Sequence, residues 1–316
     1  MERTDGSPAV RIRGLRKQYG QYTAVDGIDL DIRHGETFAL LGPNGAGKST
    51  TVEILEGYRS RTGGEVRVLG VDPAHGGLEW KARLGIVLQS TGETPQFTVR
   101  EQLRHFAGFY PDPRDVDEVI AAVGLEQKAS TRISRLSGGQ KRRVDVALGI
   151  IGRPELLFLD EPTTGFDPEA RREFWGLIRS LKDEGTTIVL TTHYLDEAAQ
   201  LGDRGGVIIG GRLVEVGPIG ELGGAEARVP IVRWRDRDGS LREQRTTEPA
   251  RLVAALAEAA GGADGSGEPA ELEVLRPSLE DIYLDLVRAA GAAAPAAAAA
   301  GASTSTSTST SEEALA

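Results

Sequence analysis

Lys48, Asp160 and Glu161 stand in sequence settings suited to phosphate chemistry. Lys48 lies in the run Gly42-Pro43-Asn44-Gly45-Ala46-Gly47-Lys48-Ser49-Thr50, which matches the P-loop pattern G-x-x-x-x-G-K-[ST]. Its glycines let backbone N–H groups converge on phosphate oxygens without a Cβ in the way. The helix starting near Lys48 adds its positive dipole end. Lys48 supplies a mobile cation for the β- and γ-phosphates, and the Ser49 hydroxyl suits Mg²⁺. Asp160-Glu161 closes the apolar run Leu156-Leu157-Phe158-Leu159. A carboxylate ending a buried strand in a P-loop protein holds Mg²⁺, and Glu161, one residue on, faces the other side of the strand end. The third stretch is Leu136-Ser137-Gly138-Gly139-Gln140. It is expected to open a helix whose N–H groups point at an anion.

These three stretches, in this order, resemble the nucleotide-binding subunits of ABC (ATP-binding cassette) proteins, over roughly residues 9–220. The resemblance implies a RecA-like α/β P-loop core with an antiparallel β layer and a helical lobe. It implies that Glu161 polarises the attacking water. Gln89 then corresponds to the Q-loop glutamine at Mg²⁺ and the water, and His193, within Thr191-Thr192-His193-Tyr194, to the switch histidine at the γ-phosphate. Tyr19 corresponds to the aromatic that stacks on adenine. Ser137, Gly138, Gly139 and Gln140 form the signature, which reads the γ-phosphate held by the other subunit. Asp167, in Thr164-Gly165-Phe166-Asp167-Pro168, corresponds to the D-loop aspartate, with Phe166 where leucine is commoner. One P-loop and one signature per chain imply a head-to-tail dimer with two composite sites. The absence of an Asn-Lys-x-Asp motif favours ATP over GTP.

The elements that must position these residues are legible as periodicities. Val10–Arg13 alternates like an edge strand, and Ala24–Ile32 alternates with a turn signal at Asp26-Gly27. Glu36–Leu41 is a short strand feeding the P-loop, and Ser49–Leu55 the helix after it. Further strands are expected at Glu65–Leu69, Leu84–Leu88, Leu156–Leu159 and Thr187–Leu190. The all-apolar runs suit parallel strands covered on both faces. Helical periodicity runs from about Thr98 to Gly124, with a break at Pro111-Asp112-Pro113. Phe174, Leu177, Ile178 and Leu181 make one helix face, closed by Gly185. Val207–Ile209 and Arg212–Val216 flank Gly210-Gly211 as a hairpin.

The expected organisation is a nucleotide-binding domain over residues 1–224, with a helical lobe at about 90–145, and a small α+β appendage over 225–290. In the appendage, Val229–Trp234 and Leu241–Arg245 flank Asp238-Gly239, Pro249–Ala260 reads as a helix, Leu272–Leu275 as a strand, and Ser278 with Asp281 as a capping box. Around Pro277–Tyr283 it resembles the C-terminal extension of ATPase subunits of the daunorubicin-resistance type. Residues 291–316, alanine-rich and then alternating Ser and Thr, are expected to be a disordered tail.

A net charge of −10 disfavours nucleic acid as a partner. With no cysteine, disulfides, thiol catalysis and zinc–thiolate sites are excluded. The N-terminus has no apolar signal core and no run is long enough to span a bilayer. The expectation is therefore an ATP-hydrolysing, Mg²⁺-dependent homodimer. It would lie on the cytoplasmic face of the membrane and drive separate permease subunits in drug or antibiotic export. An importer ATPase and a soluble ABC ATPase are the alternatives.

Overall fold

The computed structural model describes residues 7–87, 96–192, 194–236, 238–260 and 270–300. They belong to two compact units, divided after Gly224.

The first unit opens with β1 (Val10–Tyr19) and β2 (Tyr22–Ile32). After β3 (Thr37–Leu41) and helix α1 (Lys48–Leu55) comes β4 (Gly63–Val68). Strand β1 is not an edge: it lies between β2 and β4 in a three-stranded antiparallel sheet. Its alternation does bury Val10, Ile12 and Leu15 on one face, but its second partner comes from far along the chain, beyond the reach of local pattern. Asp26-Gly27 is not a turn either. The pairing slips between Leu15↔Ile28 and Arg16↔Asp26, so Gly27, at φ 77°, is the extra residue of a β-bulge.

The second sheet carries the site. Its order is β5 (Leu84–Val87), β6 (Leu156–Asp160), β7 (Thr187–Thr191), β3, β8 (Arg204–Ile209) and β9 (Arg212–Pro218). All pairings are parallel except β8–β9, the hairpin over Gly210 and Gly211, whose φ values of 56° and 79° suit a type I′ turn. Alternate residues of β6 face different cores. Leu157 and Leu159 join one that includes Val144, Ala147, Ile150, Phe174 and Ile178. Leu156 and Phe158 join the other, with Phe38, Leu40, Val52 and Leu55. That double coverage is why the parallel strands read as unbroken apolar runs.

The remaining helices are α2 (Leu78–Lys81), α3 (Val99–Ala107), α4 (Val116–Ala122), α5 (Gly138–Ile150), α6 (Pro168–Asp183) and α7 (Leu195–Leu201). The chain breaks between α3 and α4 at the expected prolines. Thr98 and Glu101 close a capping box on α3.

Past the short α8 (Gly224–Ala227), the second unit places β10 (Ile231–Arg235) between β11 (Leu241–Arg245) and β12 (Ala270–Leu275), all antiparallel. Helix α9 spans Pro249–Ala260, and α10 spans Leu279–Ala300 behind a Ser278/Asp281 cap. Helix α10 thus continues into the stretch expected to be tail from residue 291. Alanine has the highest helix propensity, which favours the extension, although Gly291 and Pro295 within it work against a helix, since Pro295 has no N–H to donate to the carbonyl four residues back. Residues 301–316 lie outside the described residues.

Candidate active site

The P-loop leaves the C-terminal end of β3 and turns into α1. Two of its glycines are required by close packing. A Cβ on Gly42 would lie 2.3 Å from the Ile208 carbonyl oxygen, and one on Gly47 2.4 Å from that of Ala24. Gly45 has open space on that side and a φ of 78°, so its need is conformational. Lys48 is buried, and its Nζ donates to the carbonyls of Gly42 (2.7 Å) and Pro43 (3.1 Å). Burial pushes the ammonium pKa down, while Glu161 and Asp160 oppose the shift. A cation held by neutral carbonyls inside an N–H-rich loop is ready for a phosphate to replace them.

The carboxylates arrive from β6. Asp160 accepts a hydrogen bond from the Thr191 hydroxyl on β7. Glu161 has φ 46°, a left-handed conformation uncommon outside glycine and a frequent mark of functional strain. Its N–H donates to the Thr191 carbonyl at 2.9 Å. The kink takes the chain out of the strand direction immediately after Asp160.

These pieces line one pocket of about 630 Å³ bounded by Tyr19, Tyr22, Ala24, Asn44, Gly45, Ala46, Gly47, Lys48, Ser49, Thr50, Asp160 and Glu161. That size suits a nucleotide-sized ligand. Ser49 and Asp160 share the pocket, while the described residues contain no cluster of three or more His, Cys, Asp or Glu. This donor set fits Mg²⁺, which takes one or two protein oxygens and completes its shell with phosphates and water. Tyr19 is 39% exposed, with Lys17 Nζ 4.8 Å and the Arg59 guanidinium 5.5 Å from its ring centroid. Tyr22 was not singled out by the sequence. Its hydroxyl donates to Gly45 O at 3.3 Å, and its only signal is being a second aromatic near the end of β1.

The signature residues lie outside this pocket. Ser137 caps α5: its Oγ accepts the Gln140 N–H at 3.3 Å, and the Gln140 side chain accepts the Ser137 N–H at 3.1 Å. Helix geometry leaves the first-turn N–H groups of Gly138 and Gly139 without intrahelical acceptors. A Cβ on Gly139 would stand 3.7 Å from Gly165 O, so the start of α5 abuts the loop carrying Asp167. Asp167 itself caps α6, accepting from Ala170 N at 2.8 Å. Phe166 is buried and meets Phe174 edge to face, with centroids 5.8 Å apart. Gln89 and His193 lie outside the described residues.

Two further buried charges were missed. Arg142 on α5 reaches the backbone of the Asp160–Pro162 segment. Glu197 on α7 is fully buried, which raises its pKa, with Thr192, Thr163, Trp175 and Arg171 disposed around the carboxylate. Its signal was positional, since Glu197, Ala198 and Leu201 share the inner face of a short helix.

A P-loop, a strand-end Asp-Glu pair and a separately capped glycine helix around one largely parallel sheet define an ABC-type ATPase. The ABC transporter family matches residues 25–164. The chain is 41% identical over 222 residues to the Nod factor export ATP-binding protein I of Ralstonia nicotianae, covering 68% of this chain and 69% of that one. It is 33% identical over 303 residues to the daunorubicin resistance ATP-binding protein DrrA3 of Streptomyces coeruleorubidus, covering 88% of this chain and 95% of that one. Among solved structures, a dimeric ATP-binding cassette in a post-hydrolysis state with ADP and Pi superposes with a TM-score of 0.61 at 24% identity, over 66% of this chain and 98% of that one. The chain belongs to the ATP-binding subunits of ABC transporters, and is an ATPase of that family.

Proposed function

We propose that this chain is the ATPase of an exporter, working as a homodimer with two composite ATP sites. One observation carries the dimer: the capped N-terminus of α5 lies outside the pocket that holds the P-loop, Asp160 and Glu161. Two chains arranged head to tail about a two-fold axis bring each signature to the partner's pocket. Ser137 already accepts the Gln140 N–H, so its hydroxyl proton and the Gly138 and Gly139 amides remain to meet a phosphate.

Within each site Lys48 moves from its two carbonyls to the phosphates, and Tyr19 offers its ring to the base. Ser49 and Asp160 would hold Mg²⁺, which would supply charge neutralisation at the transferred phosphoryl group. Glu161 orients the water; Gln89 and His193 are assigned to Mg²⁺ and the γ-phosphate through the family pattern. Glu161 and Lys48 act on charge developing in the transition state, where preorganised groups are most effective.

Export is favoured because the daunorubicin-resistance relative aligns over 88% of this chain, a span too long for the cassette alone. A drug or antibiotic is the proposed cargo. No described helix is long and apolar enough to cross a membrane, so separate permease subunits carry it, with this chain on their cytoplasmic face. Exposed aromatics on the helical lobe suit such a partner: Phe97 is 43% and Phe109 68% exposed, and both pack against His105.

The test uses Ser137→Arg and Lys48→Ala chains, separately and mixed. Each alone should be inactive, while Ser137→Arg still binds ATP. In a mixed dimer one site carries both lesions and the other is intact, so one ATP per dimer is bound there. Normal hydrolysis by Ser137→Arg chains alone would rule out composite sites.

A further inference from the structure

Arg142 is a charged side chain that the mechanism above leaves unused. It lies on α5, the signature helix, and is only 6% exposed. Its Nε donates to Pro162 O at 3.0 Å, and its Nη2 to Asp160 O at 2.6 Å and Glu161 O at 3.2 Å. Asp145, at the next turn of α5, stands 3.9 Å from the guanidinium. An arginine stays charged even where burial lowers its pKa, so the three consecutive carbonyls receive a permanent cation.

The geometry bears directly on Glu161. Its φ and ψ are set by the two peptide planes flanking its Cα. The carbonyl of the first plane, Asp160 O, and that of the second, Glu161 O, are both anchored by Arg142. The N–H of the first plane is anchored by Thr191 O at 2.9 Å. The left-handed conformation at φ 46° is thus held from β7 on one side and α5 on the other. A strained residue persists only where its surroundings over-determine it; α5 is one of those surroundings, beside β7 and the Thr164 N–H, which also donates to Glu161 O at 3.4 Å.

We infer that Arg142 is a positioning residue that couples the two ATP sites. Resting on the composite-site reading, the start of α5 engages the partner's nucleotide while Arg142, on the same rigid helix, sets the backbone of Glu161 in its own chain. Occupancy of one site is thereby read at the other. Lysine cannot reproduce this link, because a single ammonium lacks the planar fork that spans several carbonyls.

The experiment is steady-state ATP hydrolysis by the full chain, wild type against Arg142→Lys, with ATP affinity and thermal melting measured on both. The inference expects ATP affinity within about twofold, kcat lower by about tenfold or more, and a Hill coefficient for ATP falling towards one. A purely structural role would lower the melting temperature and active fraction without changing the Hill coefficient. A folded Arg142→Lys chain with wild-type kcat and Hill coefficient overturns the inference, as does a raised KM at unchanged kcat. If wild type itself hydrolyses no ATP, the functional reading fails instead. Should Arg142→Lys not fold, hydrogen exchange decides with Arg142 intact: ATP should protect the amides of residues 161–164 in wild type and not in Ser137→Arg. Equal protection in both overturns the coupling.

Discussion

Strands β6 and β11 have five residues each and are built on opposite terms. In β6, Leu-Leu-Phe-Leu-Asp, the first four residues are buried between two cores. In β11, Leu-Arg-Glu-Gln-Arg, all five are exposed. The contrast extends to their units. Among the described apolar residues of the second unit only Val232 and Ile282 are buried, at 0% and 1% exposure. Its sheet is instead laced with exposed ion pairs, such as Arg233–Glu243 and Arg235–Glu271, which solvent screening leaves weak. Both units hold a non-glycine residue at positive φ, Glu161 at 46° and Glu271 at 52°, but Glu271 is exposed on the surface, while the cassette sets Glu161 beside a desolvated Lys48 in one pocket.

The strained groups of the cassette should be indispensable to its activity. Lys48→Ala should leave the fold intact, since among the described residues Lys48 bonds only to carbonyls of its own loop. ATP hydrolysis should drop by about a thousandfold and nucleotide affinity should fall with it. Calorimetric ATP affinity and turnover both at wild-type levels would remove the P-loop assignment. Glu161→Gln keeps shape and burial but removes the carboxylate. Turnover should fall by about a hundredfold or more while ATP still binds, leaving a long-lived dimer visible by gel filtration. Turnover within a few fold of wild type would exclude Glu161 as the water-orienting group.

How much of this was legible in the sequence depends on how far apart the interacting residues lie. The P-loop, the β6 strand end and the caps at Ser137 and Ser278 are contiguous, so residue type and spacing revealed them. The central place of β1 was not legible, because β2, β3 and α1 separate it from β4 in the chain. The Asp26-Gly27 bulge read as a turn, since glycine at positive φ serves both. Arg142 is the middle of three consecutive basic residues, Lys141-Arg142-Arg143, and nothing local says that its guanidinium reaches the carbonyls after β6. The length of α10 was underestimated, as an alanine run suits either a tail or an extended helix.

Glu56, at the end of α1, is 7% exposed. Burial, with Asp160 and Glu53 nearby, raises its pKa from 4.5 to about 8. Between those values the unfolded chain is ionised and the folded one protonated, so stability falls as pH rises through this window and changes no further above it. Glu56→Gln should therefore raise the melting temperature of the nucleotide-free protein by an amount that is negligible near pH 4.5, grows towards pH 8 and then levels. The plateau should be on the order of a few kcal/mol. A pH-independent difference would mean that Glu56 is not protonated in the fold. In the second unit, Val232→Ala should cost about 2 kcal/mol and shift only that unit's unfolding, with ATPase within twofold; a matching shift of the cassette's transition would contradict the division into two units.

The smallest effect concerns salt. Raising ionic strength from about 0.15 M to 1 M shortens the screening length from roughly 8 Å to 3 Å. The second unit draws on exposed pairs, among them Arg242–Asp236, Arg245–Asp285 and Arg233–Glu273, and has little buried apolar surface to compensate. The cassette also has surface pairs, such as Arg13–Asp31, but its two cores dominate its stability, and apolar burial is not screened. Added sodium chloride should therefore leave the cassette's melting temperature close to level. The second unit should lose a few tenths of a kcal/mol for each effective pair. Two-transition calorimetry across a salt series resolves this. If both transitions move together, or the second unit gains more than the cassette, its ion pairs contribute nothing measurable, and its stability rests on Val232 and Ile282 after all.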